Sequence, residues 1–268
     1  MSEAILKDNE FKKFQDLIYR IAGISLADSK KPLVSGRLAK RVRHYQLSSY
    51  GEYFDLLNSS SHPDEMQMAV DLLTTNETYF FREQKHFDFL REQILPAHSH
   101  GRPFRVWSAA SSTGQEPYSI AMTLANGLGI KPWEMVASDI CTQVLEKARN
   151  GQYPIEQAQH IPRNYLSGYC MKGIDAEAGT FLVNRAIRSP IKFMQINLNS
   201  MLPQIGEFDL VFLRNVMIYF DNDTKRQVVQ RIMGKMKPGA HLFTGHSESL
   251  HGIADKLQAV RPAIYRMS

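Results

Sequence analysis

Glu116 and Asp139 stand where a cofactor site would need acidic groups. Glu116 follows the small-residue stretch Ala109-Ala-Ser-Ser-Thr-Gly114, and Asp139 closes an apolar run about 25 residues after Gly114. In open parallel sheets, ligands bind beyond the carboxyl ends of strands. Small residues there let a ligand approach the backbone, and an acid about 20 residues further on accepts hydrogen bonds from a ribose. An adenosine-containing cofactor fits this spacing. The turn has neither a Gly-x-Gly-x-x-Gly pattern nor a Walker lysine, since Gln115 and Glu116 follow Gly114. The charge of Glu116 would oppose a phosphate at the helix N-terminus. A phosphate-free cofactor bearing a sulfonium and an amino group suits the turn better. An ordinary strand–helix connection with a capping glutamate would carry the same residues.

Two further segments offer chemistry. Leu73-Thr-Thr-Asn-Glu-Thr-Tyr-Phe-Phe-Arg-Glu-Gln-Lys-His-Phe87 mixes polar and aromatic side chains at a position suited to lining a cleft. A linker packing its aromatics onto the next domain would look alike. Upstream, Lys30, Lys31, Arg37, Lys40, Arg41 and Arg43 form a basic run with no acidic residue between Ser29 and Gly51. Lys30, Arg37 and Arg41 flank the apolar stripe Val34, Leu38, Val42, so such a helix can pack by one face and offer cations to an acidic partner. A merely solvated basic face is the plainer alternative.

Composition narrows the classes. The 268 residues are 43% hydrophobic and 22% charged, as in an ordinary globular protein. The longest apolar candidate, Leu210 to Phe220, is interrupted by Arg214 and Asn215, and the segment Met1 to Glu10 lacks a basic stretch followed by an apolar core. Neither a membrane span nor a secretory signal is expected, and the cytoplasm is the expected compartment. Cys141 and Cys170 stand alone and are expected as reduced thiols. The nine histidines form no His-x-x-x-His pair in a helical pattern, so no catalytic metal is expected. A net charge of +5 and a pI near 9.1 favour an acidic partner: nucleic acid, membrane surface or protein.

The elements that must hold these groups fall into two textures. Before about residue 90 the pattern is helical, with faces Phe11, Phe14, Ile18, Ile21; Val34, Leu38, Val42, Tyr45; Tyr53, Phe54, Leu57; and Met66, Val70, Leu73. After Pro103, short apolar runs alternate with helical patterns, the signature of an α/β domain with a mostly parallel sheet. Strands are expected at Phe104 to Ala109, Met135 to Asp139, Phe208 to Leu213 and His241 to Thr244. Helices are expected from about Glu116, over Thr142 to Arg149 closed by Gly151, and after an Asp221 or Asp223 cap. That last helix should bury Val228, Val229, Ile232, Met233 and Met236 and stop at Pro238-Gly239. The looser stretch from Tyr153 to Ile196, with the β-like run Thr180 to Val183, reads as an inserted small sheet.

The sequence resembles the chemotaxis receptor methyltransferase family (CheR). Five ordered stretches carry the resemblance: Leu73 to Arg82 with His86-Phe87; Arg105 to Ile120; Ala137 to Ile140; Phe208 to Asp221; and Gly245 to Ser249. Gln115 and Ser111 depart mildly from the family pattern. The resemblance implies a helical N-terminal receptor-recognition domain over residues 1–73 and a cleft-lining linker over 74–102. It also implies a Rossmann-like class I methyltransferase domain over 103–268, with a small antiparallel β-subdomain at about 153–196. S-adenosylmethionine is the implied cofactor and S-adenosylhomocysteine the product. By matching position, Asn76, Thr78 and Arg82 would touch the cofactor from the linker side. Glu116 would lie near its methionine end, Asp139 would hold the ribose, Asn197 and Leu198 would flank the adenine, and Arg214 and Asn215 would line the cleft.

The implied reaction is in-line transfer of a methyl group to glutamate carboxylates of methyl-accepting chemoreceptors. Arg82 is the expected orienting group and Tyr219 a second side chain lining the site. Lys30, Arg37, Lys40, Arg41 and Arg43 are expected to meet the acidic methylation helices of the receptor. The β-subdomain is a candidate dock for a receptor C-terminal peptide, although Gly173-Ile-Asp replaces a clear Gly-x-Gly turn. The chain is expected to act as a monomer and to meet the membrane only through receptors. A nucleic-acid methyltransferase is the main alternative; against it, no two prolines are adjacent, so the Asp/Asn-Pro-Pro-aromatic motif is missing. A non-catalytic cofactor-binding module is the other, and the complete linker motif with Arg82 argues against it.

Overall fold

The computed structural model describes residues 4–59, 61–98 and 101–268; Met1, Ser2 and Glu3 of the opening segment lie outside them. Two compact units are present. One comprises the residues up to Thr75 together with Tyr219–Lys225, the other Asn76–Ile218 together with Arg226–Ser268.

Among the described residues the first unit includes the α-helices α1 (Asp8–Ala22), α2 (Lys31–His44), α3 (Tyr50–Leu57) and α4 (Glu65–Leu73), with a short 3-10 turn at Asp28–Lys30 before α2. Local chemistry sets their ends. Glu10 folds back to accept from the Lys7 amide at 2.8 Å, and Gly23 closes α1 in the left-handed region at φ 71°. Pro32 enters α2 in its first turn, where its missing N–H costs nothing. The Ser49 hydroxyl caps α3 by accepting from the Glu52 amide. Phe11, Phe14, Ile18, Val34, Leu38, Val42, Tyr53, Leu57, Val70 and Leu73 are all buried. Ile21 and Phe54 reach only half-burial. The returning segment is stitched in by the Ser25 amide to the Tyr219 carbonyl at 2.8 Å and by the Tyr19 hydroxyl to Asp221 at 2.7 Å.

The second unit opens with α5 (Lys85–Phe89), a π-turn over Leu90–Ile94 and α6 (Leu95–Ala97). There follow β1 (Phe104–Ser108), α7 (Gln115–Leu128), β2 (Trp133–Asp139), α8 (Thr142–Asn150), β3 (Gln152–Pro154), α9 (Arg163–Tyr169), β4 (Cys170–Lys172), β5 (Thr180–Val183) and α10 (Arg185–Arg188). The chain ends through β6 (Ile191–Gln195), β7 (Phe208–Leu213), α11 (Asn222–Met233), β8 (Met236–Thr244), β9 (Leu257–Arg261) and β10 (Ile264–Met267). Seven strands form one sheet in the order β6-β2-β1-β7-β8-β10-β9. The pairs from β6 to β8 are parallel, and β10 runs antiparallel to β8 and β9. Strand order reverses at β1, with β2 on one side and β7 on the other, which sets a crevice at the carboxyl ends of β1 and β7.

The small sheet has the order β3-β5-β4, both pairs antiparallel. β6, inside the stretch expected as insertion, instead pairs in parallel with β2. A second difference concerns α11. It closes at Met233, where Gly234 follows, rather than at Pro238-Gly239, and Met236 opens β8. Pro238 and Gly239 (φ 76°) lie within β8, where the register with β7 shifts between Phe208 and Leu210. A proline and a left-handed glycine are tolerated in a strand at such an irregularity. Among the described residues no helix is long and apolar enough to cross a membrane.

Candidate active site

The turn from β1 to α7 is built by hydrogen bonds from a serine side chain and from the backbone. The Ser108 hydroxyl donates to Glu116 Oε1 at 2.7 Å, and the Ser111 amide donates to the Ser138 carbonyl at 2.8 Å. Gly114 sits at φ +99°, and a Cβ there would meet the Tyr153 hydroxyl at 2.6 Å, so only glycine passes. Asp139, at the carboxyl end of β2, accepts from the Ser112 amide at 2.8 Å and from the Cys141 amide at 3.0 Å. One carboxylate thus braces the β1 turn and the start of α8. Ser112 is itself left-handed at φ 48°, and its hydroxyl donates to the Asn76 carbonyl at 2.8 Å. That contact ties the linker to the turn.

Arg82 lies between two residues in the left-handed region, Phe81 at φ 53° and Glu83 at φ 62°. Neither is glycine, and such conformations cost on the order of 1–3 kcal/mol each and persist only where surroundings over-determine them. Here they are over-determined. The Phe81 amide donates to the Ser119 hydroxyl on α7 at 2.9 Å, and the Arg82 carbonyl accepts from Arg214 Nη2. The Arg82 side chain is held far less: its guanidinium donates to the Glu77 carbonyl at 3.3 Å and lies 5.6 Å from the Tyr79 ring centroid. The backbone is pinned while the charged head remains adjustable. Asn76 and Thr78 are half-buried on the same segment.

Behind Arg82 runs a charged network. Arg214, just past β7, contacts Glu116 Oε2 and Glu83 Oε2 at 3.0 Å each, with its own side chain 1% exposed. Burial pushes the Glu116 carboxyl above its ordinary pKa, and Arg214 pulls against that rise. Burial also acts upward on Glu83, but Arg214 and the His246 amide bring its carboxyl below the usual glutamate value. Asn215, left-handed at φ 55°, donates its amide to Glu248 Oε2 at 2.7 Å. The same oxygen accepts from the Gly245 amide at 2.7 Å, and Glu248 Oε1 accepts from Ile218 at 3.2 Å.

Not every expected site residue joins this assembly in the same way. Arg214 is a buried, ion-paired arginine behind the Arg82 backbone. Asn197 and Leu198 follow β6, where the Asn197 side chain accepts from the Asn199 amide at 2.9 Å and the Leu198 carbonyl accepts from Arg231 at 3.0 Å. Tyr219 is half-buried and counts with the helical unit. The basic row on α2 is divided. Arg37 donates to the carbonyls of Leu73 and Thr74 at 3.1 and 2.9 Å and to the Thr75 hydroxyl at 3.2 Å. Arg41 makes a bidentate pair with Glu65 at 2.7 and 2.6 Å. The expected outward row of cations is thereby reduced, because α4 and the residues after it bring acceptors to two of its members. Lys30, Lys40 and Arg43 remain at the surface. Sequence reasoning passed over Glu83, Ser112, Ser119 and Glu248. Each lies inside or beside a stretch already singled out, but its partner is remote in sequence.

These features define a Rossmann-like methyltransferase class: a strand-order reversal, a small-residue turn with carboxylates in place of phosphate donors, and an acid ending the second strand. The donor set fits S-adenosylmethionine. Glu116 and Asp139 present carboxylates suited to a cationic amino acid end and a ribose diol, and the buried Ser111 hydroxyl has no hydrogen-bond partner among the described residues. Comparison narrows the class. Residues 76–265 match the model of the CheR methyltransferase SAM binding domain, and residues 9–74 that of the CheR methyltransferase all-alpha domain. The chemotaxis protein methyltransferase of Escherichia coli (strain K12) is 41% identical over 266 residues, covering 98% of this chain and 92% of that protein. Chemotaxis protein methyltransferase 2 of Pseudomonas aeruginosa is 41% identical over 259 residues, covering 96% and 92%. That of Borreliella burgdorferi is 34% identical over 274 residues, covering 98% and 95%. The chain belongs to the CheR methyltransferase family, and it is an S-adenosylmethionine-dependent methyltransferase.

Proposed function

We propose that the chain methylates glutamate carboxylates of chemoreceptors in the cytoplasm, as part of sensory adaptation. The observation that carries this reading is Arg82: a cation with a loosely held guanidinium, on a backbone pinned to α7 and to Arg214, in the segment whose Asn76 carbonyl is tied to the β1 turn. A substrate glutamate is ionised at neutral pH, its reference pKa being about 4.3. The acceptor oxygen therefore needs no general base.

When bound, S-adenosylmethionine supplies a methyl group on a positively charged sulfur and leaves as S-adenosylhomocysteine. The Arg82 guanidinium orients the incoming carboxylate through its planar fork of donors. A firmer grip would drain the oxygen's nucleophilicity, and the adjustable head of Arg82 suits positioning. Alignment of this kind is worth on the order of 7–11 kcal/mol. Asn76 and Thr78 contribute to the cofactor site from the linker, Glu116 meets the methionine end, Asp139 the ribose, and Asn197 and Leu198 the adenine. Arg214 and Asn215 hold the cleft wall in register. Lys30, Lys40 and Arg43 carry the charge that meets the acidic receptor helices. In the small sheet β4 is an edge strand, the position at which an extended receptor peptide adds.

The test is transfer of labelled methyl to receptor-containing membranes, followed by mild alkali. Volatile methanol, absent with Arg82→Ala, is the expected result. Label that resists alkali would mean a different acceptor atom and would overturn the carboxyl reading.

A further inference from the structure

Glu83 of the Arg214 network also faces two histidines that methyl transfer does not use. Glu83 precedes α5, His86 lies within it, and His246 follows β8. One ligand atom from each comes within 4.8 Å of the others. His86 Nδ1 stands 3.4 Å from Glu83 Oε2, and the His86 and His246 ring centroids are 5.1 Å apart. The His246 amide donates to Glu83 Oε1 at 3.1 Å, so the backbone already joins the two segments.

His86 is the unexplained member. It is 1% exposed, and neither ring nitrogen has a hydrogen-bond partner among the described residues. An unsatisfied buried polar atom costs roughly 1–3 kcal/mol, more than packing an apolar side chain of similar size would. The ring is aimed at a carboxylate and a second imidazole, and a bond to a metal ion would give it the partner that protein groups do not.

We propose that Glu83, His86 and His246 bind a divalent transition-metal ion of the zinc class. Two imidazole nitrogens and one carboxylate oxygen form a donor set that such ions accept in tetrahedral geometry, whereas magnesium and calcium prefer all-oxygen sites. Donors around a tetrahedral ion stand roughly 3.4 Å apart, given metal–ligand bonds of about 2.0–2.2 Å. His246 is exposed and can swing inward to close the remaining distance. His86 and His246 also border a cleft of about 510 Å³, lined further by Lys85, Asp88, Glu92 and Arg261, through which the fourth coordination position meets solvent. Charge does not oppose the ion: Lys85 and Arg261 offset Asp88 and Glu92, while Arg214 faces two carboxylates, Glu83 and Glu116. Because Glu83 also receives Arg214, the ion would act on the same network that holds the Arg82 carbonyl. The site is invisible to sequence spacing, since its histidines come from opposite ends of the unit.

The experiment uses the untagged full-length chain, stripped with chelator and titrated with cobalt(II) as a visible probe. One equivalent taken up with the absorption of a four-coordinate ion, displaced by zinc, is the expected result. His86 is buried and its replacement threatens the fold, so His246→Ala decides. That variant should keep the circular dichroism of the stripped protein but lose affinity by roughly tenfold or more. Zinc should raise the thermal midpoint of the unaltered chain and not of the variant. Replacing the exposed His160 outside the cluster should change nothing. Absent uptake, or equal uptake by His246→Ala, overturns the site.

Discussion

Arg214 Nη1 and Glu116 Oε2 stand 3.0 Å apart, joining the end of β7 to the first turn of α7 through an arginine side chain with 1% exposure. Glu83 holds the other side of the same guanidinium. Removing the cation would leave two carboxylates facing each other with little solvent, and breaking a buried pair in this way costs about 3–5 kcal/mol. Arg214→Met is therefore expected to lower the thermal midpoint by roughly 6–12 °C. A Glu83→Gln exchange in the same background should recover part of the loss. Thermal unfolding followed by circular dichroism checks both, and a midpoint within a degree of the parent would remove the network from the stability account.

Arg82 predicts the opposite pattern. Its side chain makes a single weak hydrogen bond, to Glu77, among the described residues, so Arg82→Ala should leave the midpoint nearly unchanged. Turnover should fall by about 100-fold or more, in the range that loss of substrate positioning produces. Arg82→Lys keeps the charge without the planar fork and should restore only a small part. Initial rates of methyl transfer at saturating cofactor separate these cases.

Gly245 tests the geometry from the far side of Asn215. A Cβ there would lie 2.6 Å from Asn215 Nδ2 and 2.7 Å from Glu248 Oε2, distances that real Cβ atoms do not show. Gly245→Ala must push the Glu248 carboxylate off the Asn215 and Gly245 amides. The expected outcome is weakened cofactor binding in equilibrium dialysis together with a lower midpoint. Gly168→Ala serves as a comparison, because that glycine is not left-handed and a Cβ there meets nothing within 4 Å.

Why some of this was legible in sequence and some was not comes down to range. The β1 turn and Asp139 announce themselves because strand, small residues and helix are adjacent in the chain, and their local preferences agree. The fold class follows from the same alternation of periods. Glu83 gives no such signal, since its meaning lies in Arg214 and His246, which tertiary folding alone delivers. The basic row on α2 misleads for a related reason. A helical wheel shows which side Arg37 and Arg41 occupy but not that Glu65 and the carbonyls after α4 await them. Pro238-Gly239 reads as a helix stop from propensity alone, and the pairing of β8 with β7 overrides that reading.

The surface cations that remain on α2 and just before it give a prediction about the partner. Lys40→Glu combined with Lys30→Glu changes two exposed side chains and should leave unfolding within about 0.5 kcal/mol of the parent. Receptor methylation should weaken, chiefly through slower association, with the defect shrinking as salt rises. Cofactor binding should be unaffected. Equal rates for the parent and double variant at low salt would exclude this face from docking.

Glu65 sets how the helical unit responds to acid. It is 4% exposed and accepts from Arg41, from the Tyr53 hydroxyl at 2.7 Å and from the Tyr45 hydroxyl at 3.0 Å. Burial works to raise its carboxyl, but these donors outweigh it, and the folded-state pKa falls below the ordinary 4.5. With the folded value depressed, the unfolded chain binds more protons as the pH drops. The stabilisation is therefore complete above the ordinary glutamate value and is lost as pH falls through the lowered one. Glu65→Gln should cost about 1.5–3 kcal/mol at neutral pH, the worth of hydrogen bonds to a charged group. It should also flatten the acid limb, so that parent and variant midpoints draw together as pH falls from the ordinary glutamate value through the lowered one. Thermal midpoints measured from pH 7 to pH 3 decide the matter: curves that stay parallel across that range would mean that Glu65 keeps its charge no better folded than unfolded.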